Sequence, residues 1–542
     1  MVKQSVSEKL ISIFLTAATA VSLFSVFYYT IVLSKDYLNS DVFDTILWAK
    51  ASYESGSLFA EDFCYAAFLP FGGSLIMLPL IYIFGVSFTT QIIGMVIFEI
   101  IFFISLVLFA KKINFNKNQI MIFLIAMCSL WLCGKKFREM FCQHIIYYSL
   151  SVLFILIGYT LLSSLTTALQ NKSRKKSVVF ALLTFIFFFL AASDGFQIIF
   201  ISIVPIIAGF VMERYFCLKT ELLSEKNMPE ITAVLITITS SAAGLLFTYA
   251  ATGGYRAPYA TAYSFYDSEA AVNWTEKLRL LFTDYYQLFE VSFSDGASFT
   301  DISQFLPLIR FAFATLLLFS LPATAIFYKK IREKDLLRIF FITLTVSAAT
   351  IFLWFFGIIS GAGWRLIPMV TCLLILFIYD LIFLGRKTCY KRFSVLIYTV
   401  VFMFSAVSVI SIFTFKPSPQ KYGKHQNIID KIVNSQTLNG YGDFWISSVL
   451  NVMSSDKINS YNIRYKDNKP CLYQYQQFDT EKVPAVKSDS NFLVLSSKDA
   501  SIFEKSDNYK NLLPYLTEKY DEKEDNWFVV YFYSCDISYI FS

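Results

Sequence analysis

The chain has 542 residues, of which 56% are hydrophobic, 18% aromatic and only 16% charged, with a formal net charge of +6 at pH 7. Such an apolar composition excludes a soluble globular protein of this length and reads as a polytopic membrane protein. The small positive balance leaves no nucleic-acid footprint, because in a membrane protein the placement of Lys and Arg matters more than their sum.

The N-terminus, "MVKQSVSEKL", runs directly into an apolar segment with no small-residue cleavage site after it, so the first span, 10–33, is read as uncleaved. With about 20 apolar residues needed per crossing, further spans are predicted at 87–110, 118–134, 145–168, 177–192, 196–213, 230–250, 306–328, 337–359, 366–385 and 393–416. The stretch "FLPFGGSLIMLPLIYIFGVS" (68–87) decides the topology. As a crossing it would put "KKINFNK", "NKSRKK" and "KKIREK" all outside, against the positive-inside rule. As an interfacial helix broken by Pro70, Gly72, Gly73 and Pro79, it leaves them inside together with "GRKTCYKR".

The expected fold is therefore a polytopic α-helical membrane protein of about 11 spans, N-terminus in and C-terminus out, with a small extracytoplasmic α/β C-terminal domain. Residues 1–416 form the membrane domain, with outward loops at 34–86 and 251–305. Residues 417–542 form the soluble domain, in which "NFLVLSS" and "WFVVYFYS" read as strands and "NIIDKIVNSQ" and "FWISSVLNVM" as helices. Cys471 and Cys535 both lie there, and their number alone does not pair them. Lys-rich loops and Tyr/Phe-rich spans suit an AT-rich bacterial genome.

The first outer loop begins "SDVFDTILWAKASYESGSLF" (40–59). A helix starting near Ser40 sets Asp41, Asp44 and Trp48 on one face. Two readings stand: Ser40 or Asp41 caps the helix and Asp44 favours its positive end, or the carboxylates do chemistry. The sequence around them, an acidic residue just after the first span, then "LPFGGSLIMLPLIYIFGVSFTTQIIGMVIFEIIFFISLVLFAKK", resembles the front end of the GT-C superfamily of membrane glycosyltransferases. That superfamily includes protein O-mannosyltransferases, aminoarabinose transferases and oligosaccharyltransferase catalytic subunits. The resemblance covers about the first 110 residues in pattern and the rest in architecture; the familiar Asp-Glu pair is replaced by Asp-Val-Phe-Asp, and position after the span favours Asp41.

The resemblance implies a multi-pass enzyme of the cell membrane that moves a sugar from a polyprenyl-phosphate donor to an extracytoplasmic glycan, lipid or protein, with inversion at the anomeric carbon. Asp41 or Asp44 would serve as base, or hold a divalent metal or orient the acceptor; the spacing does not choose. Several GT-C members carry a late Arg, which here matches Arg365 in "GAGWRLIP" as the donor-phosphate contact.

Other outer residues are read from their own chemistry. "GKKFREMFCQH" places Lys135, Lys136 and Arg138 outside against the positive-inside rule, which suits phosphate binding or, equally, cations snorkelling from a helix end. Glu139 and His144 line a polar or metal site, or hold structure. Asp194 in "AASDGFQ" is a turn residue or a functional carboxylate at membrane depth. Arg256 in "GGYRAPY" is a second phosphate candidate in a loop able to close over substrate. "LNGYGDFW" (438–445) reads as a turn followed by a helix N-cap, or as an acceptor platform of aromatics and a carboxylate.

No Walker loop, dinucleotide fingerprint, HExxH or nucleophile elbow occurs in the chain. The cytoplasmic loops are too short for a nucleotide-sugar domain, which points to a lipid-linked donor. Two rival readings remain: a transporter or flippase of a lipid-linked saccharide, marked by buried mid-span charges and alternating access, and a catalytically inactive scaffold.

Overall fold

A computed structural model of the chain describes residues 6–218, 227–253, 274–293, 304–327, 331, 333–356, 361–386, 391–415, 419–466, 468–482, 487–521 and 528–541. In chain order the helices are α1 (Val6–Tyr28), α2 (Asp44–Ser55), α3 (Ser74–Phe84), α4 (Phe88–Lys112), α5 (Lys117–Cys133) and α6 (Lys135–Cys142). They continue as α7 (Tyr147–Gln170), α8 (Arg174–Ser193), α9 (Phe196–Phe216) and α10 (Met228–Ala251). Next come α11 (Trp274–Leu288), α12 (Phe305–Phe327), α13 (Lys334–Phe355), α14 (Ile367–Gly385) and α15 (Lys391–Phe413). The tail holds α16 (Pro419–Ser435), β1 (Asn439–Asp443), α17 (Phe444–Met453), β2 (Asn459–Lys466), β3 (Lys469–Leu472) and β4 (Asn491–Ser496). It ends with α18 (Ser497–Phe503), α19 (Asp507–Leu512), β5 (Leu516–Asp521) and β6 (Phe528–Tyr533).

Among the described residues, ten helices are long and apolar enough to cross a membrane, and up to eleven if α5 and α6, bent by 112° to each other, are one span. The protein is a multi-pass membrane protein with a small mixed sheet in its tail. The bend falls at Gly134, where an added Cβ would lie 2.1 Å from the Leu288 carbonyl oxygen; only glycine lets the chain pass that close. Residues 68–86 yield only α3, eleven residues and too short to span. Contrary to expectation, Pro79 does not break it: the helix begins after Gly73 and runs through the proline. Burial of Met77, Leu80 and Ile81 offsets the missing backbone hydrogen bond.

The chain divides into two compact units: Met1–Tyr29, Phe98–Ala250 and Ser264–Phe415 form one, and Thr30–Ile97, Ala251–Tyr263 and Lys416–Ser542 the other. In the first, α14 is buried almost throughout and packs against α5, α7, α12, α13 and α15, as an all-apolar helix must. Elsewhere in this unit a buried ionic network joins four helices. Glu230 of α10 accepts from Gln170 of α7 (2.9 Å), Lys334 of α13 (3.0 Å) and Arg214 of α9. Arg338 pairs with Glu213 at 3.2 Å and lies 4.0 Å from the Phe210 ring centroid. The segment 251–305, expected from sequence as a long outward loop, contains the helix α11, whose Leu281, Tyr285 and Leu288 are buried.

The second unit combines the segment after the first span with the tail. Its six-stranded sheet has the order β3-β2-β1-β4-β6-β5, with β2, β1 and β4 parallel and the other pairings antiparallel. The four tail segments read from sequence as helices and strands appear as α16, α17, β4 and β6. "NGYGD" is a correction: it is the central strand β1, where a turn was expected. Its glycines follow from packing, since a Cβ on Gly440 would lie 2.3 Å from the Phe492 carbonyl oxygen. The expected N-cap is present, with Asp443 accepting from the Trp445 N–H at 2.9 Å. Burial, opposed by that hydrogen bond and reinforced by the neighbouring Asp499, raises the Asp443 pKa. Cys471 and Cys535 are free thiols.

Candidate functional site

The chain leaves the first span through a short 3-10 turn, Ser40–Phe43, that hands over directly to α2. The expected cap shifts by one residue or two: Asn39 supplies it, accepting from the Val42 N–H at 3.3 Å. The Ser40 hydroxyl instead donates to the Phe444 carbonyl of the tail. Because residues three apart eclipse in a 3-10 turn, and the Asp44 N–H donates to the Asp41 carbonyl, the two aspartates lie on one side. Asp41 is half-buried and Asp44 is 3% exposed. A buried carboxylate in the first turn gains from the helix dipole.

Around them the tail is stitched to the loop. The Trp48 indole donates to Gln476 Oε1 at 2.6 Å, and Gln91 Nε2 donates to the Val42 carbonyl at 2.8 Å. Phe63 and Phe478 form an antiparallel bridge. The Cys64 N–H donates to the Gln477 carbonyl at 2.8 Å, and the Gln476 N–H to the Cys64 carbonyl at 2.7 Å. Burial pushes the Cys64 thiol up to about 11, so it is an inert thiol at neutral pH.

In the other unit, the predicted cations separate. Lys136 reaches its own helix neighbour Glu139, with Nζ 2.9 and 2.7 Å from the two carboxylate oxygens, and sits 4.7 Å from the Trp364 ring centroid. The next residue, Arg365, donates from Nη1 to the Tyr147 hydroxyl at 2.8 Å and lies over the rings of Tyr147 and Tyr148. The Tyr147 hydroxyl donates in turn to that of Tyr148 at 3.0 Å. Lys136, Glu139, Trp364, Arg365, Tyr147 and Tyr148 thus make one cluster of two cations, one carboxylate and three rings. Arg138 is drawn elsewhere: it donates to the Leu132 carbonyl (2.7 Å) and to Glu290 (3.2 Å), which also takes Arg310 (3.2 Å). Lys135 is exposed, and its backbone N–H donates to Glu290 at 2.7 Å.

His144 is 2% exposed, and its carbonyl accepts from the Ser149 hydroxyl at 3.3 Å. Asp194 is 3% exposed at the end of α8, with its N–H on the Ala191 carbonyl. Arg256 lies outside the described residues. The sequence reading missed Tyr147, Tyr148, Glu290, Arg310 and Asp284. Asp284, on α11, packs against the hairpin so closely that a Cβ on Gly363 would lie 3.3 Å from its carbonyl oxygen; burial raises its carboxyl pKa. No local motif marks Tyr147, Glu290 or Arg310: partners distant in sequence, such as Arg365 for Tyr147 and Arg138 for Glu290, bring them together. Among the described residues no three His, Cys, Asp or Glu side chains gather as a metal site.

Two paired cations among aromatic rings can hold a phosphate while presenting an apolar wall to its lipid, since Arg and Lys donate to phosphate oxygens and the rings shield them from water. The two aspartates of the other unit are carboxylates of a kind able to accept a proton.

No protein-family model matches the chain, and no curated protein matches it. Solved structures do. The apo oligosaccharyltransferase of Archaeoglobus fulgidus aligns with 89% of this chain and 69% of its own, at 11% identity and a TM-score of 0.51. The same organism's oligosaccharyltransferase AglB, in complex with an inhibitory peptide and a dolichol-phosphate, aligns over 93% and 71%, at 12% identity and a TM-score of 0.50. ArnT from Cupriavidus metallidurans aligns over 97% and 98%, at 11% identity and a TM-score of 0.45. At these identities the likeness is one of fold, and the archaeal oligosaccharyltransferases are the structures that carry it. The chain has the fold of the archaeal oligosaccharyltransferases.

Proposed function

We propose that the protein is a glycosyltransferase that moves a sugar from a polyprenyl-phosphate donor to a glycan, lipid or protein acceptor outside the cytoplasm, with its N-terminus inside and its tail outside. The observation that carries this reading is the cluster of Arg365 and Lys136 among Trp364, Tyr147 and Tyr148. The dolichol-phosphate bound by the archaeal oligosaccharyltransferase supports the same donor chemistry. In the reaction, the acceptor oxygen attacks the anomeric carbon and its proton passes to Asp41 or Asp44. The bond from the anomeric carbon to the phosphate oxygen breaks with its electron pair going to phosphate. Arg365 and Lys136 take up the charge that develops there, as fixed donors do for any developing anion.

The test is release of free polyprenyl phosphate from a panel of lipid-phosphate sugars by the purified protein and by Asp41→Asn, Asp44→Asn and Arg365→Ala. One Asp→Asn change should abolish turnover in a folded protein, and Arg365→Ala should lower it about a hundredfold. Turnover unaffected by all three would overturn the assignment.

A second reading is favoured by one observation. Glu99, fully buried, lies in the middle of the span Phe88–Lys112, and an ionisable group at that depth is expected of a saccharide transporter. Movement of a lipid-linked sugar between leaflets without release of polyprenyl phosphate would favour it over transfer.

A further inference from the structure

Gln476 belongs to the tail, yet it is buried, 3% exposed, behind a helix of the first outer loop. Its backbone adopts φ +56°, a left-handed conformation that side chains other than glycine and asparagine rarely take. Its amide orientation is determined by chemistry: the Trp48 indole is a donor only, so Oε1 must face it, and it does at 2.6 Å. That leaves Nε2 buried with no hydrogen-bond partner among the described residues. A strained backbone and an unspent buried donor at one residue are both unfavourable, and such features persist where function holds them.

The loop around it is held by a set of hydrogen bonds. The Gln476 N–H donates to the Cys64 carbonyl, the Gln477 side chain accepts from the Asn462 N–H at 2.7 Å and donates to the Tyr473 carbonyl at 3.0 Å, and Asn462 donates to the Tyr475 carbonyl at 2.7 Å. Gln476 is thus anchored through its main chain to the loop and through its neighbours to the sheet. Its partner Trp48 lies four residues after Asp44, one turn along the same face of α2. Whatever rotates Trp48 rotates Asp44.

We infer that Gln476 is a positioning residue: through Trp48 the tail sets the rotation of α2 and with it the aim of the Asp44 carboxylate. This deepens the proposed transferase reading and rests on it for its catalytic consequence. A 1 Å error in the placement of a reacting group costs up to about a hundredfold in rate, so a tail that clamps this helix is part of the catalytic apparatus as well as a surface domain.

The test uses the full-length protein in lipid nanodiscs, with Gln476→Leu and the double variant Gln476→Leu/Trp48→Phe. Two readouts are taken: hydrogen exchange of the amides over Asp44–Ser55, and kcat and KM for donor-dependent release of polyprenyl phosphate. Gln476→Leu should speed exchange over Asp44–Ser55 at least about tenfold and lower kcat roughly ten- to a hundredfold with donor KM unchanged. The double variant removes the stranded indole N–H, so it should regain thermal stability while kcat stays low. Wild-type exchange over Asp44–Ser55 in Gln476→Leu, or wild-type kcat in the double variant, would overturn the inference and leave Gln476 as a plain partner for a buried indole. Should the wild-type protein release no polyprenyl phosphate from any donor, the transferase reading fails, and the exchange measurement alone decides whether Gln476 holds the helix.

Discussion

Glu139 offers a prediction whose sign is informative. It holds Lys136 Nζ at 2.7 and 2.9 Å, so the cation assigned to phosphate is partly neutralised before any substrate arrives. At those separations and an effective dielectric constant of about 20 the gross attraction is about 6 kcal/mol. The Lys136 side chain is 37% exposed against 6% for Glu139, and screening at such exposure reduces the net coupling to about 1 kcal/mol. Glu139→Gln keeps the shape and removes the charge. The freed ammonium should then strengthen donor binding by about fivefold, read as a lower donor KM in the polyprenyl-phosphate release assay, with kcat little changed. Adding Lys136→Met to Glu139→Gln should erase the gain, and raising the ionic strength should shrink it. A raised KM would mean that Glu139 binds substrate itself; an unchanged KM would mean that Lys136 does not meet the phosphate. Either result refutes the reasoning.

Glu230, with its side chain 4% exposed, accepts from Gln170, Arg214 and Lys334. Glu230→Gln leaves Arg214, Lys334 and Arg338 with Glu213 as their remaining carboxylate in this network, and should destabilise the membrane helices by roughly 3 kcal/mol; an unaltered thermal midpoint of the detergent-solubilised protein would refute it. Burial, with Lys424 beside it, lowers the His425 pKa to about 4. Its folded pKa therefore lies below the unfolded value of about 6.5, and the unfolded state binds more protons in between. Stability should be fully present above pH 6.5 and fall by up to about 3 kcal/mol as the pH drops toward 4. Protection of Asn439–Ser496 amides against exchange, followed in the full-length protein, should report that loss, and His425→Leu should remove it; pH-independent protection in the wild type would contradict the sign.

Some of this was written locally. About 20 apolar residues per crossing is a one-dimensional rule, so hydropathy placed the spans, and the distribution of Lys and Arg among the loops kept 68–86 out of the membrane. The strand runs at Asn491–Ser496 and Phe528–Tyr533 and the helix Phe444–Met453 follow from equally local periodicity, and so does the capping role of Asp443. Position after the first span likewise brought Asp41 and Asp44 forward as carboxylates. What tertiary structure decided was which charges are spent. Arg138 looks like Lys136 in sequence, but its partner Glu290 is 152 residues away. β1 reads as a turn because its Gly440 answers to the Phe492 backbone across the sheet, and no period in the local sequence encodes that neighbour. Most of all, the partner of Trp48 lies 428 residues downstream. Hydrophobic periodicity specifies which face of an element is buried; only the folded chain specifies against what, and here that difference separates two acidic residues after a span from a carboxylate helix held by the tail.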